Sequence, residues 1–452
     1  MINNSIFKTY DVRGIYPEEI NKETAFRIGA ALVVFLSREL KKPEKEIRIL
    51  LGRDARLSSP ILSREFIKGV NSQGGKIINL GLVSSDLLYF SLSYFPYEGG
   101  VMITASHNPK EYNGFKIFSS QTTPIYQENG LERIKELAGE KFLRRKKTSV
   151  VKKNLLPFYL KYLLNLIDPQ KIKPLKVVVD AGHGPAGKII RELSKKLPFK
   201  LFPLYFKPNG RFPKRSPNPK EKNALKACQE KIKEKKADFG LSFDGDGDRT
   251  VFLDEKGKII SASLVIALFA REYLSRKKEE KIVYTGDCSQ VVPETILQYQ
   301  GKPIRSITGY PFVRENMRYN EAVLGGENSG HLFFRDVFYN ESGGRAFLLM
   351  LEILSQDNYT LSELIAEFKH YPRQEENFKI YQNKEEIIEK LAHFYHQETQ
   401  WQEDGLTVQG KNWWFNARFS NTEPILRLTV EADNEKKVQK ELSQIKKILT
   451  QD

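Results

Sequence analysis

Three times along the chain an apolar strand pattern leads into a short helical pattern and then into a second strand pattern. This recurrence restricts the possible folds more than any other feature of the sequence. Residues 48–52 (Arg-Ile-Leu-Leu-Gly) read as a buried strand, residues 59–72 as a helix with Ile61, Leu62, Phe66, Ile67 and Val70 near helical spacing, and residues 76–80 as the next strand. The pattern returns at 176–180, 185–196 and 200–205, and again at 281–284, 292–299 and 303–307. Strands alternating with short helices build βαβ units on a mostly parallel sheet. Three such units predict three related α/β domains, and 452 residues are too many for one core. The C-terminal part has a different order. An amphipathic helix over 384–397 carries Ile387, Ile388, Leu391 and Phe394 on one face, strand patterns follow at 406–408, 413–419 and 425–431, and a helix closes at 435–449. The expected class is therefore α/β, with three related mixed α/β domains and a C-terminal α+β domain, divided as 1–150, 151–250, 251–368 and 369–452.

Bulk properties exclude several functions. The net charge of +16 resides partly in basic runs at 144–153, 220–236 and 276–281. Few aromatic residues interrupt them as a stacking surface for nucleic acid would require, so they read as a solvated lysine-rich surface and no nucleic-acid partner is expected. Part of the charge can help attract a dianionic substrate. No apolar run is long enough for a bilayer, and residues 1–10 lack a signal-peptide core, which predicts a cytoplasmic protein without a membrane partner. Cys228 and Cys288 form no CxxC pair, and the six histidines include no HExxH, which excludes a disulfide framework and a zinc hydrolase.

Chemistry concentrates in a few segments. Thr104-Ala-Ser106-His107-Asn-Pro109 follows a strand pattern ending at Ile103. A serine leaving a strand ahead of Asn-Pro suits a nucleophile or phosphate carrier, and the same residues fit a plain Ser or Asx turn. The GxSxG pattern of hydrolases is absent, because no glycine follows until Gly114. Phe243-Asp244-Gly-Asp246-Gly-Asp248-Arg249 sets three carboxylates at alternate positions, where they can converge on one hard cation and would repel strongly without it. An EF-hand is excluded, since Arg249 stands where that loop needs glycine and strand patterns flank the segment. Gly182-His-Gly-Pro-Ala-Gly187 matches a dinucleotide fingerprint, but 201–208 holds no acidic residue, so it reads as a tight strand-to-helix turn. Gly325-Gly-Glu327-Asn-Ser329-Gly-His331 suits the reading of sugar hydroxyls, or is a loop with a satisfied histidine. Arg418-Phe-Ser420-Asn421-Thr422-Glu-Pro424, with Arg427, has a phosphate-binding composition, or is an ordinary polar hairpin.

With Tyr10-Asp-Val-Arg13-Gly14, Gly52-Arg-Asp54, Asn113-Gly-Phe-Lys116 and Asp180-Ala-Gly182, these segments occur in an order that resembles the α-D-phosphohexomutase superfamily, in its bacterial-type phosphomannomutase/phosphoglucomutase branch. The resemblance spans nearly the whole chain. It implies four domains around a central cleft and interconversion of hexose 1-phosphate and hexose 6-phosphate, of mannose or glucose, through a phosphoserine and a hexose 1,6-bisphosphate. It further implies that Ser106 carries the phosphoryl group and binds Mg²⁺ together with Asp244, Asp246 and Asp248. Lys116, Arg13 and His107 would supply acid–base and charge-stabilising functions, with Arg249 beside the metal loop. Tyr10, Tyr310, Glu327, Ser329 and His331 would contact the sugar, while Arg418, Ser420, Asn421, Thr422 and Arg427 would grip the distal phosphate. The implied partner is a small sugar phosphate, and the implied assembly a monomer or homodimer. Asp287 departs from the pattern, standing where some members carry a basic residue, and Tyr310 stands where one subgroup has histidine. The Ser-Asn-Thr-Glu-Pro loop favours the glucose/mannose enzymes over phosphoglucosamine mutase. A Ser/Mg-dependent sugar phosphatase is the competing hydrolase. A non-catalytic sensor is disfavoured because Ser106, Lys116 and all three aspartates are present.

Overall fold

In the computed structural model, the apolar segment at 48–52 becomes the second strand of a six-stranded sheet. Its strands are β1 (Val12–Ile15), β2 (Arg48–Arg53), β3 (Lys76–Leu82), β4 (Gly99–Ile103), β5 (Tyr112–Ser119) and β6 (Val150–Lys152), in spatial order β1-β5-β4-β2-β3-β6. The structure describes residues 3–144, 150–356, 358–379, 383–419 and 425–450. Strands β4, β2, β3 and β6 run parallel, whereas β5 pairs antiparallel with both β4 and the edge strand β1. The reversal has a local cause. The 104–111 link between β4 and β5 is too short for a parallel crossover, so the chain doubles back and Ser106 lies in the turn.

Helices Lys22–Leu40 and Ser59–Ser72 cover this sheet and meet at two glycines. A Cβ on Gly69 would lie 1.9 Å from the Phe26 carbonyl oxygen, and one on Gly29 would lie 2.4 Å from that of Phe66. The helices therefore touch backbone to backbone, which lets Phe66 stack on Phe115 with ring centroids 5.9 Å apart.

The second recurrence gives β7 (Lys176–Asp180), β8 (Lys200–Leu204), β9 (Phe239–Phe243) and β10 (Thr250–Leu253), ordered β10-β9-β7-β8. The last two strands form an antiparallel hairpin with Phe243 opposite Thr250, so the three aspartates occupy its tip. Both sheets belong to one compact unit, Met1–Ser261 with Ser329–Leu364.

The other unit comprises Ala262–Asn328 and Ile365–Asp452. Its first part contains parallel strands Lys281–Thr285, Lys302–Ser306 and Leu324–Gly326. Its second part is a five-stranded antiparallel sheet, ordered Arg373–Lys379, Ile425–Ala432, Trp413–Phe419, Leu406–Gly410, Thr399–Trp401. Helix residues Ile387, Leu391, Val438, Leu442 and Ile445 share its core. Strand Arg373–Lys379 has no counterpart among the sequence expectations. It is an edge strand paired only through Ile425–Ala432, and its charged residues leave no apolar alternation to read. The first C-terminal helix ends at Phe394, three residues short of its expected limit. Among the described residues no helix is long and apolar enough to cross a membrane.

Because the helix crossing at Gly69 leaves no room for a methyl group, Gly69→Ala should destabilise the protein by about 1–3 kcal/mol. Thermal unfolding should register a midpoint lower by a few degrees. An unchanged midpoint would show that the helices can separate freely.

Candidate active site

Ser106 is buried and has φ +50°, a left-handed conformation uncommon outside glycine. Neighbouring groups hold it there. Its amide donates to Thr104 Oγ1 at 2.8 Å, and the Thr104 hydroxyl donates to Asp54 Oδ2 at 2.7 Å. Asn108 N donates to the Ala105 carbonyl at 2.9 Å, closing the turn. Arg13 donates to Asn108 Oδ1 at 2.6 Å and to Asp11 at 2.5 Å, tying β1 to the same turn.

The acidic loop meets this turn directly. The Ser106 hydroxyl donates to Asp244 Oδ2 at 2.7 Å and lies 3.3 Å from His107 Nδ1. A Cβ on Gly245 would fall 2.5 Å from the Ser106 carbonyl oxygen, so glycine permits the approach. Asp244 Oδ1 accepts from the amides of Gly247 (3.0 Å) and Arg249 (3.3 Å). Lys116 Nζ, from β5, donates to Asp246 Oδ2 at 2.8 Å and Asp248 Oδ2 at 2.5 Å. Helix Ser85–Tyr94 adds Ser85 Oγ on Asp246 Oδ2 (2.8 Å) and Tyr89 OH on Asp248 Oδ2 (3.3 Å). Asp246 Oδ1 and Asp248 Oδ1 are buried without a hydrogen-bond partner, although His331 Nε2 lies 3.4 Å from the latter. Ligand atoms of the three aspartates lie within 4.8 Å of one another. Buried oxygens with nothing to accept from, in so acidic a cluster, fit a cation. These three residues could hold a metal ion.

The charges are strongly coupled. Burial, with the charges of Asp246 and Asp248, raises the Asp244 carboxyl to about 7. Burial also opposes ionisation of Asp248, but Lys116 and His331 outweigh it and hold that group well below the usual carboxylate range. Burial would lower Lys116, but Asp246 and Asp248 hold its ammonium well above its ordinary value. Beside them, the Arg249 charge together with burial pushes His107 far below its usual range, so its imidazole is neutral. Arg249 Nε lies 3.3 Å from His331 Nε2, and Ser329 Oγ lies 2.8 Å from His331 Nδ1. Tyr10 is half-buried in the approach to β1.

The other unit carries the remaining sequence candidates. Glu327 is buried and accepts from the Gly309 amide at 2.7 Å, at the start of the helix that Tyr310 opens. Arg418 and Arg427 are cross-strand partners, and Arg418 lies 3.6 Å from Asp404, which also accepts from the Thr308 amide at 2.9 Å. Asp287 accepts from the Thr285 hydroxyl at 2.6 Å, and a Cβ on the adjacent Gly286 would meet Arg305 at 2.7 Å. Ser420, Asn421 and Thr422 lie outside the described residues. Sequence reading missed Ser85 and Tyr89, whose spacing of four on one helix face was the available signal. It also missed Arg56 and Arg215, each buried and paired with an aspartate of a recognised motif, Asp54 and Asp180.

Repeated α/β domains that turn a serine onto an acidic loop place the chain among phosphohexose mutases, and comparison with known proteins is more specific. The phosphoglucomutase/phosphomannomutase alpha/beta/alpha domains I, II and III match residues 4–144, 157–257 and 262–371, and the C-terminal domain of that family matches 374–448. "Phosphohexose mutases" of Xanthomonas campestris and a phosphomannomutase of Vibrio cholerae are each 36% identical, over 94% of this chain and 94% of theirs. The crystal structure of a phosphoglucomutase/phosphomannomutase family protein from Burkholderia thailandensis superposes with a TM-score of 0.90 at 29% identity, covering 99% of this chain and 98% of that one. The chain belongs to the phosphoglucomutase/phosphomannomutase family.

If contact between the two loops sets the geometry at Ser106, Gly245→Ala should lower turnover by about 100-fold while the protein stays folded. Steady-state kinetics beside circular dichroism would check this. Full activity would show that the loops need not touch.

Proposed function

We propose that this phosphohexose mutase interconverts hexose 1-phosphate and hexose 6-phosphate, of mannose or glucose, through a phosphorylated Ser106 and a hexose 1,6-bisphosphate. The observation that carries the proposal is the 2.7 Å contact between the Ser106 hydroxyl and Asp244 in a buried pocket of charge. Phosphoryl transfer asks little covalent help of a protein but requires positioning and charge neutralisation. Mg²⁺ bound by Asp244, Asp246 and Asp248 with an oxygen of the phosphoserine would neutralise charge on the transferring group. The residues themselves do the rest.

In the forward step the Ser106 Oγ–P bond breaks as a bond forms from phosphorus to the free hydroxyl of the bound hexose monophosphate. The proton of that hydroxyl ends on Ser106 Oγ. Neutral His107 lies with Nδ1 3.3 Å from Oγ, while Lys116 and Arg13 supply positive charge. The bisphosphate then turns, and its other phosphoryl group returns to Ser106 by the reverse step. Arg249, between the acidic loop and His331, supports the same charge balance.

Glu327, Ser329, His331, Tyr10 and Tyr310 are the proposed sugar contacts. Arg418 and Arg427 are proposed to hold the phosphate that is not reacting, with Ser420, Asn421 and Thr422. Arg418 and Arg427 stand opposite each other on neighbouring strands, so two cations at one place on the sheet support that role. A phosphatase would pass the same phosphoryl group to water instead of to the sugar, so the two readings differ in the acceptor.

Ser106→Ala should cut turnover by more than about a thousandfold. Intact-mass measurement should find a phosphoryl adduct on the native protein and none on the variant; a fully active native protein without the adduct would refute the mechanism. Assays with mannose 1-phosphate and glucose 1-phosphate should yield hexose 6-phosphate ahead of inorganic phosphate, and the opposite order would favour the hydrolase. Chelation with EDTA should abolish turnover and added Mg²⁺ restore it; activity that survives chelation would remove the metal from the reaction.

A further inference from the structure

We infer that Arg56 is a positioning residue for phosphoryl transfer, holding the backbone of the Ser106 turn through a four-carbonyl clamp. The inference rests on the assignment of Ser106 as phosphoryl carrier. Arg56 is fully buried, and its Nε pairs with Asp54 Oδ2 at 3.0 Å. Its remaining nitrogens address a single target. Nη2 donates to the carbonyls of Ser106 (2.8 Å) and Asn108 (2.6 Å), and Nη1 to those of Pro109 (2.5 Å) and Tyr112 (2.9 Å). All four acceptors lie in the turn or at the first residue of β5.

A structural arginine needs a carboxylate and any nearby acceptors. Here the fork is spent on the one segment whose backbone must hold Ser106 at positive φ. The Ser106 carbonyl it grips is the one that abuts Gly245 of the acidic loop. Asp54 fixes the other side, since it accepts from the Arg56 amide, from Ser59 Oγ and from Thr104 Oγ1, the hydroxyl that in turn receives the Ser106 amide. Guanidinium, aspartate and threonine thus grip Ser106 at both its carbonyl and its amide. Arg56 touches neither the reacting hydroxyl nor, by this account, the sugar, so its loss should affect kcat and leave KM largely alone.

Arg56→Lys tests this, because lysine keeps a charge for Asp54 and loses the fork. Ser59→Ala is the control, removing another Asp54 contact while leaving the clamp. Relative to native protein and normalised to folded fraction, R56K should lose about 100-fold in kcat with KM within about threefold, while S59A stays within about threefold in both. Labelling of Ser106 by glucose 1,6-bisphosphate, followed by intact mass, should slow in R56K in step with kcat. An R56K whose kcat falls no further than that of S59A, or one not recovered folded, would overturn the inference and leave Arg56 a purely structural residue. Native protein that never gains a phosphoryl group would remove the mutase reading and this role together. Normal native labelling with undiminished R56K labelling would remove this role alone.

Discussion

The serine turn and the acidic loop come within contact distance because one of them has no side chain at the point of closest approach. Ser106 leaves β4 on a link too short to cross over, and the aspartates sit at the tip of the β9–β10 hairpin. Gly245 lets the backbone of the second press on the carbonyl of the first, which places a hydroxyl 2.7 Å from a carboxylate 138 residues further along the chain. The surrounding packing serves this contact. Each loop is anchored from behind by a buried arginine–aspartate pair, Arg56 with Asp54 for the serine turn and Arg215 with Asp180 for the acidic loop. Arg215 reaches the Phe243 carbonyl, the last before Asp244, at 2.5 Å. Breaking such a pair strands a buried charge, at a cost of about 3–5 kcal/mol.

Burying three carboxylates together would be prohibitive without compensation. Lys116 answers two of them, Ser85 and Tyr89 add neutral donors, and backbone amides take up one oxygen of Asp244. These donors occupy one oxygen each of Asp246 and Asp248 and leave the other without a hydrogen-bond partner. The result is a set of acceptors beside the serine that could hold a cation. That economy links the fold to the chemistry: the helices and strands that build the core also select which oxygens face inward.

Much of this was legible in the sequence, for physical reasons. The βαβ recurrences carry apolar runs that only buried strands need, and the Asp-Gly-Asp-Gly-Asp segment combines charge repulsion with glycine freedom that few other structures explain. The two strands beside the acidic segment were legible from their patterns, their antiparallel pairing was not, and Lys116 was named only through the family resemblance. What escaped notice depends on distance in sequence. Arg56 and Arg215 carry no local pattern that marks them for burial, and only the fold brings their partners around them. Ser85 and Tyr89 act through a helix whose apolar residues dominate its pattern. Strand Arg373–Lys379 escaped because an edge strand with charged residues carries no apolar period.

In the proposed chemistry a single ion would be shared by residues far apart in the chain. Anomalous diffraction from crystals of the phosphorylated protein loaded with Mn²⁺ would locate that ion directly. The account predicts one strong peak about 2.1 Å from oxygens of Asp244, Asp246, Asp248 and the modified Ser106. A peak elsewhere, or none at that loop under saturating metal, would contradict it.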